Sequence, residues 1–346
     1  MANKIIDLFC GCGGLSKGFE DAGFETILAI DFWKDAIATF NHNHKNKVGF
    51  CGDIKSFTNE DLKKLAEENE IVGVVGGPPC QGFSTVGKRE IDDPRNSLYK
   101  EYCRVVEQVN PEFFVLENVR GLLTLNKGSF RDSIIENFEK LGYTVVYKLV
   151  NAADYGIPQR RYRVFFVGIK NKKFEFPTEH ENKITTKEAL SDLPKAYEKG
   201  TVNCAYASAP ENEYQKLLRG DQEFVLNHEV TNHSEATVDI ISKIPDGGGI
   251  KDLPKEFWNV RKYNKAFERM SSTSQSNTID TGHRNYFHYS ENRIPTSREV
   301  ARIQSFPDNF EFVGSRTSQY KQIGNAVPPL LAQQIAEAIM KQIRRK

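Results

Sequence analysis

The chain has 346 residues, of which 39% are hydrophobic and 27% charged, a composition typical of a soluble globular protein with one large domain or two. Its 47 basic residues nearly balance its 46 acidic ones, and the formal net charge of +1 excludes a polycationic coat protein of the histone type. Nucleic-acid binding is not excluded, because the local field decides it.

Targeting, redox and metal signals are weak in this sequence. No apolar run approaches the roughly 18 residues that span a bilayer, and the N-terminus has no signal-peptide profile. The six cysteines lack the spacing of a disulfide framework and are typical of reduced thiols, so we expect a cytoplasmic protein without membrane contact. Cys10 and Cys12 have no accompanying ligand pair, and we interpret Asn41–His44 as a solvated helix end. No metal site is predicted.

From residue 3 to about residue 170, apolar runs alternate with segments of helical spacing. This alternation predicts an α/β fold with a doubly wound, mostly parallel sheet, which binds ligands beyond the carboxyl ends of its strands. The last two strands are close enough in sequence to pair as an antiparallel edge. The predicted strands are Ile5–Phe9, Thr26–Ile30, Ile71–Val75, Phe113–Leu116, Val145–Val150 and Val164–Ile169, and the predicted helices are Leu15–Ala22, Trp33–Asn43, Asn59–Glu67, Leu98–Val109 and Phe130–Leu141.

The alternation stops after Lys170. Residues 171–292 are polar and rich in turn residues, which predicts a second, smaller and irregular domain. Helical spacing returns at Ser297–Ile303 and at Leu330–Ile343. We therefore expect a first domain at 1–170, a second at 171–292, and a C-terminal segment at 293–346 that bridges back to the first.

A glycine turn connects the first predicted strand to the first helix, within Asp7–Leu15. Glycines let a backbone approach a ligand closely, and a helix N-terminus favours a negative group. Ser16 stands where a dinucleotide fingerprint needs its third glycine, which weakens a nicotinamide or flavin interpretation. Asp31 and Asp53 follow the next strand ends, with the aromatic Phe32 beside Asp31. Each residue alone fits a turn or a cap, but together they suggest an adenosine-containing cofactor without a phosphate.

A single cysteine, Cys80, lies in the segment Gly76–Ser84, just after a buried strand. Two glycines and two prolines restrain the backbone there, which favours a presented nucleophile over an inert core thiol. A thiol with an ordinary pKa is only a few per cent ionised at neutral pH, so a nearby cation is expected. The stretch Gln81–Ser97 carries Lys88 and Arg89, and its glycines allow it to close over a substrate.

Two further groups follow in the chain. Glu117 ends the strand beside the one that delivers Cys80, although its motif Glu117-Asn118-Val119 also fits a helix N-cap cluster. Arginines precede the last predicted strand of the sheet, where alternation places Arg161 and Arg163 on one face. The window 156–176 has six basic residues and one acidic residue, which makes it a local cationic patch.

In this order, the motifs closely resemble those of the DNA (cytosine-5) methyltransferases of the bacterial modification type. The resemblance covers about the first 170 residues and the last 55. It implies an S-adenosylmethionine-dependent methyltransferase fold, S-adenosyl-L-methionine as cofactor, double-stranded DNA as partner, and a cytosine flipped out of the duplex. The motifs are Pro78-Pro79-Cys80, Glu117-Asn118-Val119, Gln159-Arg160-Arg161-x-Arg163, Arg298-Glu299-x-Ala301-Arg302-x-Gln304-x-Phe306-Pro307 and Gln322-x-Gly324-Asn325-Ala326-Val327-Pro328.

The resemblance also implies roles for individual residues. Cys80 would be the nucleophile, Glu117 and Arg163 would hold the base, and Arg161 would support Glu117 or the loop. Cys12 and Ala326 stand at variable or small-residue positions of the motifs and do not alter these roles. The implied DNA contacts are Gln81, Ser84, Lys88 and Arg89. The implied cofactor contacts are Phe9, Gly11, Gly13, Gly14, Leu15, Asp31, Phe32, Asp53, Ile54, Pro78, Leu98, Asn325 and Ala326.

Target recognition is assigned by the resemblance to residues 171–292. The window 251–302 has ten basic and six acidic residues, which suggests a basic cleft facing DNA and salt-sensitive binding. We expect a monomer, with a cognate restriction endonuclease as a possible separate partner. Three rival interpretations remain open: a tRNA cytosine-5 methyltransferase, a catalytically silent DNA-binding regulator, and a nicotinamide oxidoreductase.

Overall fold

The computed structural model describes the chain except for a few short segments and one longer stretch that follows Pro79. Among the helices of the described residues, none is both long and apolar enough to cross a membrane. The described residues are 3–79, 97–198, 204–258, 267–281 and 286–343.

By packing, the chain divides into two compact units. Unit 1 consists of Met1–Asn151, Tyr162–Thr178 and Leu331–Lys346, and unit 2 consists of Ala152–Arg161 and Glu179–Leu330. The predicted domain boundaries at residues 170 and 292 stay a prediction.

A seven-stranded sheet forms the centre of unit 1 in the described part of the chain. Its strands are β1 (Asn3–Leu8), β2 (Phe24–Asp31), β3 (Gly49–Cys51), β4 (Ile71–Gly76), β5 (Phe113–Val119), β6 (Tyr143–Asn151) and β8 (Tyr162–Lys170). They lie in the order β3-β2-β1-β4-β5-β8-β6. The pairs from β3 to β5 are parallel, while β8 is antiparallel to both β5 and β6. The predicted fold class is confirmed, and the order reverses beside β1, where such sheets bind ligands.

Burial explains why most of these strands could be found in the sequence. The central strands are covered on both faces, and the run Phe113–Leu116 is fully buried. A continuous apolar run of this kind is typical of a parallel strand between two helical layers. Strand β3 gave no such signal, because it has three residues and both Phe50 and Cys51 are exposed.

Helices cover the sheet of unit 1. Thr58 and Asp61 form a capping box at one helix start, since the Thr58 hydroxyl accepts from the Asp61 backbone amide and the Asp61 carboxylate accepts from that of Thr58. The C-terminal helix returns to the first strand, where the Asn3 amide lies 3.0 Å from the Met340 sulfur. The helices are α1 (Gly14–Asp21), α2 (Lys34–Asn43), α3 (Asn59–Asn69), α4 (Ser97–Val109), α5 (Ser129–Lys140) and α11 (Pro329–Ile343).

Unit 2 contains more helix than its polar sequence suggested. The predicted irregular domain, residues 171–292, contains the short helices α6, α7 and α8, and α10 lies in the C-terminal segment, where its few apolar residues gave no clear helical stripe. A small apolar core that includes Ile241, Phe267 and Phe287 organises part of the unit. The elements are β7 (Gln159–Arg160), α6 (Thr186–Leu190), α7 (Glu213–Arg219), α8 (Glu235–Lys243), β9 (Glu268–Arg269), β10 (Ser276–Asn277), β11 (Tyr286–Phe287), α9 (Ser297–Ile303) and α10 (Arg316–Asn325).

Buried arginines hold α9 in unit 2. Arg302 donates to Asp192 and Asp308 at 2.6–3.1 Å, and Arg298 donates to backbone carbonyls. Arg293 donates to both carboxylate oxygens of Glu299. These arginines satisfy internal acceptors, so the basic window 251–302 overstates the positive charge that unit 2 presents to DNA. Arg269, which is also buried, belongs to the same group.

Candidate active site

The turn between β1 and α1 has a backbone that few side chains permit. Phe9, Gly11 and Gly13 have positive φ angles of 60°, 55° and 92°. A Cβ at Gly13 would lie 2.2 Å from His44 Nε2 and 2.7 Å from the Phe40 ring, so only glycine fits there. Gly13 is the N-cap of α1 and supplies no side-chain cap, so the first amides of this helix face the turn.

His44 packs against the glycine turn at Gly13. The interpretation of His44 as part of a solvated helix end was wrong. Its ring is buried, stacks on Phe40 with centroids 3.9 Å apart, and bonds through Nδ1 to the Glu20 carboxylate at 2.8 Å. The periodicity of α2 ends just before His44, so nothing in the local sequence indicated this burial.

Asp31 ties the glycine turn to the end of β2. Its Oδ2 accepts from the Gly11 amide at 2.9 Å, and its Oδ1 accepts from the Trp33 amide at 2.8 Å. Each carboxylate oxygen can accept more than one hydrogen bond. The next residue, Phe32, has 69% of its surface exposed, an unusual exposure for a phenylalanine.

The remaining predicted cofactor residues of unit 1 lie on neighbouring elements. Asp53 caps the 3₁₀ turn that begins at Ile54, accepting from the Lys55 amide at 3.0 Å, and its carboxylate is exposed. Ile54 and Leu15 are buried, while Leu98 is half-buried near the start of α4. The half-buried Asp31 and the exposed Asp53 suit ribose hydroxyls, the exposed Phe32 ring suits a purine, and the glycine turn suits a close backbone approach.

Asp7 is a buried carboxyl group directly under the turn. It is fully buried in β1, and its Oδ2 accepts from the Ser16 hydroxyl at 2.6 Å. Among the described residues, nothing donates to its Oδ1. Burial raises the pKa of Asp7 to about 7, more than the Ser16 hydrogen bonds lower it.

Glu117 and Arg163 form an ion pair at the ends of β5 and β8. Arg163 Nε lies 3.0 Å from Glu117 Oε1, and both side chains are mostly buried. Burial lowers the pKa of Arg163 and Glu117 opposes that shift. The other oxygen, Glu117 Oε2, lies 3.0 Å from where a Cβ on Gly77 would be, so this glycine makes room for the carboxylate beside the chain that leads to Cys80.

Asn118 was not singled out as a site residue, although it stands in the middle of its motif. Its Nδ2 donates to the Pro78 carbonyl at 2.9 Å, and its Oδ1 accepts from the Val119 amide at 2.8 Å. The side chain is buried, so both bonds are shielded from water. Asn118 therefore fixes the backbone two residues before Cys80.

Arg161, Asn325 and Ala326 belong to unit 2. The Arg161 guanidinium donates to the carbonyls of Gly324 and Ala326, the residues on either side of Asn325. Asn325 is the last residue of α10 and is exposed, while Ala326 caps that helix. The role predicted for Arg161, support of Glu117 or the loop, stays a prediction.

Five predicted residues lie outside the described part of the chain: Cys80, Gln81, Ser84, Lys88 and Arg89. Within the described ranges, no cluster of His, Cys, Asp or Glu could hold a metal ion. The described thiols nearest to the turn, Cys10 and Cys12, are buried, and burial raises the pKa of both.

A doubly wound sheet with a glycine turn and an exposed aromatic ring beside its switch point is typical of enzymes that use a nucleoside-containing cofactor. The chain belongs to the C-5 cytosine-specific DNA methylase family, whose model matches residues 3–341. It is 40% identical to the type II methyltransferase M1.HphI of Haemophilus parahaemolyticus, over 99% of this chain and 87% of that protein. It is 41% identical to M.DdeI of Desulfomicrobium norvegicum, over 97% of this chain and 88% of that protein.

Solved structures agree with this membership. A putative DNA modification methyltransferase encoded within an E. coli prophage superposes with a TM-score of 0.84 at 26% identity, covering 99% of this chain and 100% of that chain. The Dnmt2 methyltransferase of S. pombe shares the fold, with a TM-score of 0.63 at 17% identity, covering 99% and 100% of the two chains.

Proposed function

We propose that this protein transfers a methyl group from S-adenosyl-L-methionine to C5 of a flipped cytosine within a short sequence of duplex DNA. The observation that carries the proposal is the buried Glu117–Arg163 pair beside Gly77, on the chain that leads to Cys80. Relatives named as type II methyltransferases support a role as the modification enzyme of a restriction system. A cognate endonuclease would then act separately, and this protein would act as a monomer in the bacterial cytosol.

The residues of unit 1 fit the proposed cofactor. Asp31 and the exposed Asp53 offer acceptors for ribose hydroxyls, and the exposed Phe32 ring offers a face for adenine. The glycine turn allows the methionine part of the cofactor to lie against the backbone. When bound, S-adenosylmethionine supplies a methyl group on a positively charged sulfur. The resemblance also assigns cofactor contacts to Asn325 and Ala326, which belong to unit 2.

Cytosine C5 is a poor nucleophile, and the first task of the chain is to change that. The Cys80 thiolate adds to C6 of the flipped base, so that a sulfur–carbon bond forms and electron density moves to C5. Arg163 is paired with Glu117, and its guanidinium holds the base carbonyl oxygen and favours the thiolate. After C5 has accepted the methyl group, a base such as water removes the C5 proton, the C5–C6 double bond reforms and the sulfur–carbon bond breaks, which regenerates the Cys80 thiolate.

Glu117 has the role of a proton-bearing hydrogen-bond partner for the base. It holds the exocyclic amine and supports protonation of the ring nitrogen N3, which stabilises the adduct at C6. The ion pair with Arg163 holds the Glu117 carboxyl group in position, and the absence of a side chain at Gly77 leaves room for its second oxygen.

Transfer of tritiated methyl groups from S-adenosylmethionine tests the proposal, with duplex DNA and tRNA as competing substrates. We expect transfer to DNA, loss of transfer in Cys80→Ser with cofactor binding retained, and a loss of about 100-fold or more in Glu117→Gln. Preferred transfer to tRNA would contradict the DNA substrate, and DNA binding without turnover would favour a silent regulator. Sequencing of DNA methylated by the protein would then identify its target site.

A further inference from the structure

At the end of helix α10, the backbone carbonyls on either side of one exposed residue accept hydrogen bonds from buried side chains. Arg161 Nη2 donates to the Gly324 carbonyl at 2.8 Å and to the Ala326 carbonyl at 3.1 Å. Gln304 Nε2 donates to the same Ala326 carbonyl at 2.6 Å. Asn325, between these two carbonyls, is exposed, whereas Arg161 and Gln304 are buried. Buried donors therefore fix the backbone around an exposed amide side chain.

The two donors are themselves held by a buried network. Gln159 is fully buried, and its amide donates to the Gln304 side chain, while its carbonyl oxygen accepts from the Ile279 amide at 3.0 Å. Arg161 also donates to the Ile279 carbonyl at 3.3 Å. A buried hydrogen-bond network of this kind restricts the orientations of its members.

Helix geometry explains why a cation is placed here. The last carbonyls of a helix have no partner within the helix and carry partial negative charge, so a guanidinium at the C-terminus satisfies and neutralises them. Gly324 adds a steric constraint, because a Cβ there would lie 2.4 Å from the Asp280 carbonyl oxygen. The backbone on the N-terminal side of Asn325 thus has no room to shift toward that segment.

We propose that Arg161 and Gln304 are positioning residues that act on the cofactor through Asn325. They hold the carbonyls on either side of Asn325, so that its side chain is presented to S-adenosylmethionine in one orientation. The inference rests on the proposed cofactor contact of Asn325. It gives Arg161 a task within unit 2 that is separate from the base-binding task of Arg163.

A double-mutant cycle tests this inference, with S-adenosylhomocysteine titrated calorimetrically into Arg161→Lys, Asn325→Ala and the double variant. Lysine keeps the positive charge, but its single nitrogen cannot replace both Nη1, which donates to the Ile279 carbonyl, and Nη2, which donates to the two carbonyls at the end of α10. We expect each single variant to bind S-adenosylhomocysteine about tenfold more weakly. The double variant should bind no more weakly than Asn325→Ala alone, because the Asn325 side chain that Arg161 orients is then already absent. In Arg161→Lys, KM for S-adenosylmethionine should rise with little change in kcat.

Arg160→Lys is the matched control. Arg160 is exposed and donates to the Asn277 side chain rather than to the end of α10, so its replacement should leave cofactor affinity unchanged. If Arg161→Lys fails to fold, Gln304→Met removes a donor to Ala326 at similar side-chain length, and the same cycle applies to it. Melting temperatures identify such a failure.

The outcomes separate the inference from the proposed function. If Asn325→Ala leaves cofactor affinity unchanged, the proposed contact of Asn325 is wrong. If Asn325→Ala weakens binding but the losses in the double variant add, Arg161 acts by another route and the positioning inference is overturned.

Discussion

At the scale of single residues, the site depends on polar side chains that are buried and paired with the backbone. Asp7 is the most unusual of them, because burial raises its pKa to about 7 while Ser16 donates to only one of its oxygens. Its protonated form is favoured in the folded protein, whereas an unfolded chain ionises it near pH 4. Its contribution to stability is therefore fully present below pH 4 and is lost as the pH rises through about 7.

Asp7→Asn tests this linkage, because asparagine keeps the shape of the protonated acid and cannot ionise. We expect the melting temperature of Asp7→Asn to rise relative to that of the wild type as the pH increases from 5.5 to 8, because ionised Asp7 destabilises only the wild type. Asp21→Asn on the surface of α1 serves as the control and should show a constant offset over this range. Parallel profiles of melting temperature against pH for the wild type and Asp7→Asn would contradict this pKa for Asp7.

Asn118 connects the Glu117 motif to the chain before Cys80. In Asn118→Asp, a carboxylate oxygen would face the Pro78 carbonyl in place of an amide donor, and repulsion would replace a buried hydrogen bond. We expect methyl transfer to slow about tenfold or more at pH 8 with cofactor affinity preserved, and to recover partly at low pH, where a protonated carboxyl can donate. Asn137→Asp, the same change at the Tyr99 hydroxyl, should be close to neutral. A rate loss in Asn118→Asp that does not vary with pH would contradict this role.

Sequence motifs predicted Glu117 and Arg163, and the structure brings these two side chains together as an ion pair. The same motifs did not predict the partners of Asn118 or Arg161. Arg161 bonds to carbonyls more than 100 positions away in the chain, and no local pattern encodes such pairings. His44 illustrates the same limit, since its burial depends on Gly13 and Glu20, which are distant in the chain, as well as on Phe40 of the adjoining helix.

At the scale of elements, the β1–α1 turn is the most constrained connection near the site. Gly13→Ala would force a Cβ onto His44 and Phe40 at a positive φ angle, so we expect loss of S-adenosylhomocysteine binding and a lower melting temperature. Gly23→Ala is the matched control, because Gly23 has the same φ of 92° with no atom within 4 Å of the added Cβ. That control should cost only about 1 kcal/mol of stability and leave binding intact. Equal effects of the two changes on binding would contradict a specific role for the turn.

The elements differ in how visible they are in the sequence. Apolar runs predict buried strands such as β4 and β5, and amphipathic spacing predicts the helices that cover the sheet. The place of β8 between β5 and β6 could not be predicted, because strand order depends on pairing between distant segments. In unit 2, helix α10 (Arg316–Asn325) lacks an apolar stripe, so it was not predicted from the sequence.

At the scale of the whole molecule, net charge is a poor guide to the DNA-facing surface. Arg269, Arg293, Arg298 and Arg302 are buried against internal acceptors, so they add little to the field at the surface. The window 156–176 keeps its excess of basic residues, and Arg160 in it is exposed. DNA binding by surface cations should still be salt-sensitive, but less so than the count over residues 251–302 suggests.

A titration of DNA affinity against salt measures this effect. Two phosphate contacts alone predict a loss of about tenfold in affinity between 50 and 200 mM salt. We expect the slope to be unchanged by Arg298→Met in any variant that still folds, because a buried arginine makes no phosphate contact. An affinity that stays constant with salt would contradict phosphate binding by this protein.

The central claim is that Cys80 attacks C6 of a flipped cytosine. Its most direct test is incubation with S-adenosylmethionine and duplex DNA carrying 5-fluorocytosine, in which fluorine cannot leave as a proton, followed by mass spectrometry of the peptides. We predict a stable DNA–protein adduct on Cys80, absent in Cys80→Ser and retained in the control Cys204→Ser. An adduct on another residue, or methylated DNA from Cys80→Ser at near wild-type rate, would contradict the account.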